Sequence, residues 1–586
     1  MRVLLLHPED SPRHGPWAGR RWDLIVDLGK SSAFSEAKWS AEYGCAVLRS
    51  DCFRQGIEDV KQVRKIFSAG MGRLVCHEGI DWWDLTSLSL EPEAITGLAL
   101  VRLAEEINPS AELWSTRPGW PGSGLAALLG RSVSSFENGK LTRAVGRAGH
   151  YAGLLRRFTA AQIKEIFLDK YDAGYQWRSR FASRPRSSGK PVVLLPTAYR
   201  NVSHMAVAYA SLLPDQSFLM VATRQSAKSA AAADNLVVRD LAAYVKGDPP
   251  ASEIASLTAK WFELETELCS SPEMRILVEA GVMDVLPNWI RDGLCARNAW
   301  RNVIDDEPVQ AVLCGDDSNL YTRVPVLLAA KRKIPTVDFH HGALDGRYLL
   351  KDLPCDVYLT KNEMERDYLI RVCGLPNERI VIGAPSPLRY GERSSPRKES
   401  AAVFFSEPYE SAERRGEEVY GEILPALCRV AREAGRRVIV KLHPFESYNE
   451  RSRLLTEILD AENRKLVTMV DGPLTSELMS QAWFGITVES TTVIDCLQNG
   501  IACFLCGWLP PSPYEYIPQY ARFGVGEVLH SAEQIGEIPG RLANFQSRLP
   551  SPMSLYKTVD PAQLQRWLTG GLQESSIAGL PRRSAS

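Results

Sequence analysis

Short apolar runs alternate along the chain with longer stretches in which apolar residues recur at three- and four-residue steps. The runs read as buried strands and the stretches as amphipathic helices, so the alternation predicts parallel α/β layers. Three blocks emerge. In the first, 1–185, Arg2–Leu6, Asp23–Asp27 and Ala46–Leu48 read as strands of a small α/β unit. From about Leu98 the pattern turns helical, with amphipathic stretches over Leu141–Phe158 and Gln162–Phe181. Arg178–Lys190 is polar, with Ser, Pro and Gly, and reads as a linker.

The second block, 190–385, opens on the run PVVLLP and continues through SFLMVATR, a helix-rich stretch over 235–302, and the runs AVLCG, TVDFHHG, DVYLTKN and IVIGAP. A second linker, Ser386–Ser400, leads to the third block, 400–570. Its strands are Ala402–Phe405, Val438–Leu442, Leu466–Val470, Trp483–Val488 and Ala502–Leu505, with helices between them. Residues 571–586 read as a flexible tail. The expected fold class is α/β: a GT-B-like pair of doubly wound Rossmann-type domains with an additional N-terminal α/β and helical region. Ligands of such sheets bind at the carboxyl ends of the strands, which directs attention to the cleft between the two sheets.

Composition narrows the classes. At 586 residues the chain is too long for one core, and 45% hydrophobic with 24% charged residues is ordinary globular usage. Lys plus Arg number 69 against 70 Asp plus Glu, a formal net charge of −1, so no whole-protein field holds nucleic acid. Twelve scattered cysteines fit reduced thiols. The Val3–Leu6 run is too short for a signal-peptide core, and no stretch approaches a membrane span. A cytoplasmic protein is expected, with room for peripheral association with the inner membrane face or with polysaccharide-assembly proteins.

Two strand ends in the third block favour phosphate. Lys441-Leu442-His443-Pro444 ends one strand: the imidazole of His443 can donate to a phosphate, while Pro444 turns the chain away. Glu489-Ser490-Thr491-Thr492 follows another strand and opens a helix, where hydroxyls and free N–H groups make an anion site. An HP motif followed by a Ser/Thr pair at a helix start resembles the CMP-binding half of bacterial GT-B sialyltransferases and Kdo transferases. The order PTAYRNVSH, DFHHGALD and VIGAP in the second block is further similar to the retaining β-Kdo transferases of surface polysaccharide assembly, a resemblance spanning about 190–510.

The resemblance implies that His443, Ser490 and Thr491 hold the cytidylate phosphate, with Ser406 and Glu407 near the ribose or base. It implies transfer of an acidic sugar, Kdo from CMP-β-Kdo, to a surface-glycan acceptor by carboxylate double displacement, without a metal or other cofactor. Asp316 and Asp317 end the AVLCG strand and are the candidates for the nucleophile; one of them is also expected to cap the helix from about Leu320. His340 and His341 end the next strand and are candidates for acid–base work. As strand neighbours they should point to opposite faces, so that only one reaches the site. Tyr199, Arg200 and Asn201 follow the first strand of the block, and Arg200 suits a carboxylate. Arg224, ending the next strand, is a weaker candidate of the same kind. Trp82 and Trp83 read as core aromatics, and Cys503 with Cys506 as buried thiols rather than a zinc site. Two other functions fit the same pattern: a polyol-phosphate transferase resembling the CDP-glycerol enzymes, and a non-catalytic GT-B scaffold.

Overall fold

The computed structural model describes residues 1–8, 10, 15–29, 39–41, 43–48, 56–68, 76–136, 178–183, 187, 189–224, 226–229, 233–385, 400–409, 415–510, 512–551 and 556–570. Three parallel sheets follow one another. The first has five strands: Arg2–Leu6, Leu24–Asp27, Ala46–Leu48, Glu112–Ser115 and Val133–Ser135. The second has seven: Val192–Thr197, Phe218–Ala222, Leu236–Asp240, Val309–Cys314, Thr336–Phe339, Val357–Thr360 and Ile380–Ile382. The third has six: Ala401–Phe405, Arg437–Lys441, Val467–Val470, Ala482–Thr487, Cys503–Cys506 and Glu527–Leu529.

All three share one order. The first strand of each sheet lies inside it, with the second and third on one side and the fourth onward on the other. In the middle sheet Val312 pairs with Leu194, and Val193 pairs with Phe218 on the opposite side. In the last sheet Val403 sits between Ile439 and Gly485. Crossovers therefore leave the first and fourth strands in opposite directions and open a crevice at their carboxyl ends, the switch point of a doubly wound sheet. Helices cover both faces, which is why VVLLPT and AAVFF are buried along their whole length.

Three elements depart from the sequence expectation. Glu112–Ser115 and Val133–Ser135 complete the N-terminal sheet where a helical region was expected, and Leu236–Asp240 forms an edge strand within the stretch read as helix-rich. The reason is local. ELWS and VSS are short and polar-flanked, and Val237 and Val238 are exposed at the sheet edge, so none shows a continuous apolar run. The helical stretch Leu141–Phe158, most of Gln162–Phe181, the linker over 386–399 and the tail over 571–586 lie outside the described residues.

The cores cross the blocks. Val60, Trp82, Trp83 and Leu98 from N-terminal helices share one apolar cluster with Leu194, Trp261 and Val312 of the middle block. Trp82 and Trp83 are core aromatics: both are buried, and Trp83 packs edge-on against Phe67 at 5.2 Å. The helix Pro561–Leu568 comes after the last sheet but returns to the middle one, where Leu564, Trp567 and Leu568 cluster with Phe339 and Leu359. Cys503 and Cys506 are buried free thiols. Among the described residues no helix is long and apolar enough to cross a membrane.

Candidate functional site

The middle sheet supplies the carboxylates. Beyond Cys314 the chain bends at Gly315, where a Cβ would lie 2.8 Å from the Phe339 ring. The two acids that follow diverge. Asp317 is 1% exposed and accepts from Arg323 Nη1 at 2.7 Å, from the Tyr348 hydroxyl at 3.0 Å and from Lys351 Nζ. Its oxygens are consumed by that network, and Arg323 is held in turn by Asp84 of the N-terminal block at 2.8 Å. Among the described residues the Asp316 carboxylate has a single hydrogen bond, from Ser318 N at 2.9 Å. Burial pushes its carboxyl above the ordinary range, with nearby His341 pulling the other way. Neither acid caps the following helix, contrary to expectation. Asn319 does, its Oδ1 accepting from Tyr321 N and Thr322 N at 3.1 and 3.2 Å.

The histidine pair also corrects an expectation. The strand stops at Phe339, so its two-residue alternation no longer governs His340 and His341. Their rings lie 4.6 Å apart at 43° and share one environment. Gly342 makes room for this, since a Cβ there would meet His340 Nε2 at 2.8 Å. Neither Nδ1 makes a hydrogen bond among the described residues, and Asp345 approaches His340 Nδ1 only to 3.8 Å. Burial lowers both imidazoles, so each is neutral near pH 7. Tyr199, Arg200 and Asn201 lie at the end of the neighbouring first strand, the last two in the first turn of the Arg200–Ala210 helix. Tyr199 carries the guanidinium of Arg224 over its ring at 4.8 Å, so these two form one surface.

The last sheet supplies the phosphate-friendly groups. Phe445 N donates to His443 Nδ1 at 3.2 Å, which assigns the proton of the neutral ring to Nε2. Burial, and then Lys441, lower this imidazole and keep it neutral. The turn beyond it, through Pro444, is fixed by Glu446, which accepts from His443 N at 2.7 Å, Ser406 Oγ at 2.8 Å and Arg451 Nε at 2.7 Å. Ser406 therefore supports the His443 turn. Glu407 supports the other strand end, accepting from the Thr487 hydroxyl at 3.0 Å and from the N–H groups of Glu489 and Ser490 at 2.9 and 3.1 Å. Those N–H groups, expected to be free for an anion, are already engaged; the exposed Thr491 and the Ser490 hydroxyl, which accepts from Thr492 N at 3.3 Å, remain beside them. The strands leading to His443 and to Ser490 flank Ala401–Phe405 on either side. Both residues thus reach one end of the sheet, about 10 Å apart by two strand spacings, with Ser406 and Glu407 between them.

A strap joins the two sites. Leaving Cys503–Cys506, the chain passes Ser512, whose N–H donates to Glu489 Oε2 at 2.9 Å. It then reaches the middle block: the Tyr516 hydroxyl accepts from Gly346 N at 3.1 Å, and Tyr514 O accepts from the Tyr368 hydroxyl at 2.7 Å. A Cβ on Gly346 would lie 2.5 Å from the Tyr514 ring, so only glycine permits this approach. Sequence reasoning missed the strap, Lys351 and Arg347. The available signal was the cluster DGRYLLK immediately after the paired histidines.

Two further charged clusters lie elsewhere. The N-terminal switch point is filled by protein: Arg117 Nη2 reaches Asp10 at 2.8 Å, and Arg415 of the last block pairs with buried Asp27 at 2.5 Å while donating to Asp10 O and His7 O at 3.0 and 3.1 Å. Among the described residues, one group has ligand atoms close enough to hold a metal: His77, Glu78 and Glu253. Arg297 pairs with both of its carboxylates, at 3.0 and 2.6 Å, which offsets the charge a cation would need.

No family model matches the chain, and no curated protein does. Among solved structures it is similar to S. aureus MnaA in a co-structure with UDP (12% identity, 64% of this chain and 94% of that one, TM-score 0.40). It is also similar to UDP-GlcNAc 2-epimerase from Methanocaldococcus jannaschii (11%, 65% and 99%, TM-score 0.41) and to CalG4, the calicheamicin glycosyltransferase (11%, 66% and 100%, TM-score 0.39). None of these identities reaches a level at which residue roles transfer.

Proposed function

We propose that the protein is a GT-B-like glycosyltransferase that moves a sugar from a CMP-sugar donor to a glycan acceptor with retention of configuration. The observation that carries the reading is the convergence of two switch points. His443 and Ser490 stand at one, Asp316 and His341 at the other, and the Ser512–Tyr516 strap ties them together. In this reading the Asp316 carboxylate attacks the anomeric carbon, and the bond to CMP breaks with its electron pair left on the phosphate oxygen. The Nε2–H of His443 and the hydroxyls of Ser490 and Thr491 donate to that charge. An acceptor hydroxyl then attacks the same carbon, the Asp316 carboxylate departs, and the hydroxyl proton passes to Nδ1 of His341, which has no partner among the described residues. Asp317 serves by fixing the turn through Arg323, Tyr348 and Lys351, and no step requires a metal.

The test is a thermal-shift panel of CMP, CDP, UDP and GDP on the full chain. Selective stabilisation by CMP supports the reading through preferential binding to the folded state. Equal or greater stabilisation by UDP overturns the choice of cytidylate. The linkage of the product, glycosidic or phosphodiester, separates sugar transfer from polyol-phosphate transfer.

A further inference from the structure

The Tyr348 hydroxyl stands between two carboxylates. It lies 3.0 Å from Asp317 Oδ1 and 3.2 Å from Asp338 Oδ2, and a phenol carries one proton. Asp338 is the last residue but one of the strand Thr336–Phe339, and both acids are buried, Asp338 completely. If both were ionised they would have to divide that one proton between them, away from water. The other partners decide which acid carries a proton of its own. Asp317 faces Arg323 Nη1 at 2.7 Å and the Lys351 ammonium. Asp338 makes no ion pair among the described residues, and its other bond is Oδ1 accepting from Phe339 N at 2.8 Å. A carboxylate buried without a cation carries a desolvation cost that a proton removes. The surroundings agree. Cys314 and Tyr358, its partners on the two neighbouring strands, and Cys355 bring no positive charge, while Asp316 and Asp317 bring negative charge and Lys351 opposes them. Burial, and then the charge of Asp317, hold the Asp338 carboxyl well above the ordinary range.

We propose that Asp338 is kept as a neutral carboxylic acid that donates to the Tyr348 oxygen, which leaves the Tyr348 proton for Asp317 and makes Asp338 a positioning residue for the Asp316 turn. The path is short. Lys351 Nζ bridges Asp317 and the Ser318 hydroxyl, the latter at 2.7 Å. Ser318 N holds Asp316 at 2.9 Å, and Ser318 O takes Arg347 Nη1 at 3.3 Å. An ionised Asp338 would compete with Asp317 for the phenol proton and draw on the same ammonium. The inference takes only the role of Asp316 from the reading above, and its test needs no donor, so either can fail without the other.

The experiment uses the full chain as wild type, Asp338→Asn and Tyr348→Phe. An amide copies the protonated acid, since its oxygen can accept from Phe339 N while its NH₂ donates to Tyr348. The infrared difference between wild type and Asp338→Asn at pH 6 is expected to contain the carbonyl stretch of a protonated carboxylic acid, which a carboxylate lacks. In Tyr348→Phe that band should move to higher wavenumber, because the acid loses the oxygen it donates to. Urea unfolding then supplies the sign. A carboxyl raised in the folded state contributes stability below its unfolded value of about 3.9 and loses it as pH rises through the folded value. The folding constant of Asp338→Asn relative to wild type should therefore grow between pH 5 and pH 7, by up to about ten-fold per pH unit. Absence of the acid band overturns the proposal, as does a ratio that stays flat or falls with pH. A band that does not move in Tyr348→Phe overturns the donation to Tyr348 and with it the positioning role.

Discussion

The crevices of the N-terminal and middle sheets have the same strand order and opposite contents. In the first, Arg415 and Arg117 meet Asp27 and Asp10, and Arg415 also takes the carbonyls of His7 and Asp10. In the second, Nδ1 of both His340 and His341 lacks a partner among the described residues, and Arg347 has one long bond. Buried polar groups are normally satisfied, so the open positions of the second crevice carry a cost. The difference teaches how one topology serves two ends. A switch point closed by its own chain is a brace between blocks, and one left with unmatched donors and acceptors is where the proposed function puts its ligand.

Four outcomes break or sharpen that contrast. The largest is expected from Asp316→Asn, which should lower transfer by about 10³-fold or more with the CMP-induced melting shift unchanged; more than a tenth of wild-type turnover would remove Asp316 from the chemistry. Next is Asp27→Ala, which leaves Arg415 buried and unpaired and should cost about 3–5 kcal/mol of stability in urea unfolding. Adding Arg415→Met should recover part of that loss, because an apolar pair can replace a buried ion pair; no recovery would mean that the crevice is more than a brace. His443→Ala should weaken CMP binding by about 10–100-fold, the range for a hydrogen bond to a charged group, whereas Asp27→Ala should leave the CMP affinity of the folded protein unaltered. The smallest effect lies in the pH profile. Asp316 must be ionised to attack, and burial raises its carboxyl, so turnover should fall with decreasing pH at values above the ordinary Asp range of about 3.9. An acid limb at or below that value would contradict the buried setting of Asp316.

Strands with unbroken apolar runs, such as Val192–Thr197 and Ala401–Phe405, were legible in the sequence because both of their faces are covered. Glu112–Ser115 and Leu236–Asp240 were not, because neighbouring strands rather than their own side chains define them. In the site, His443 and Ser490 were visible as polar residues at strand ends. The difference between Asp316 and Asp317 was not. It depends on Arg323 one helix turn beyond the cap and on Lys351 more than thirty positions away, which close around one acid and leave the other. The meeting of Gly346 with Tyr516 spans 170 positions and follows only from how the sheets dock. The histidine pair shows a subtler failure: the residues were singled out, but the alternation rule was carried one step past the end of its strand.

The return of Pro561–Leu568 to the middle sheet has a consequence for biosynthesis. Leu564, Trp567 and Leu568 finish an apolar surface whose other members, Phe339 and Leu359, leave the ribosome some two hundred residues earlier. Until translation passes that helix, the central unit carries an uncovered greasy seam, even while the last sheet is assembling. A stop codon placed just ahead of residue 561 would therefore yield a chain with every described strand of the three sheets present and a sticky underside, prone to clumping rather than merely idle.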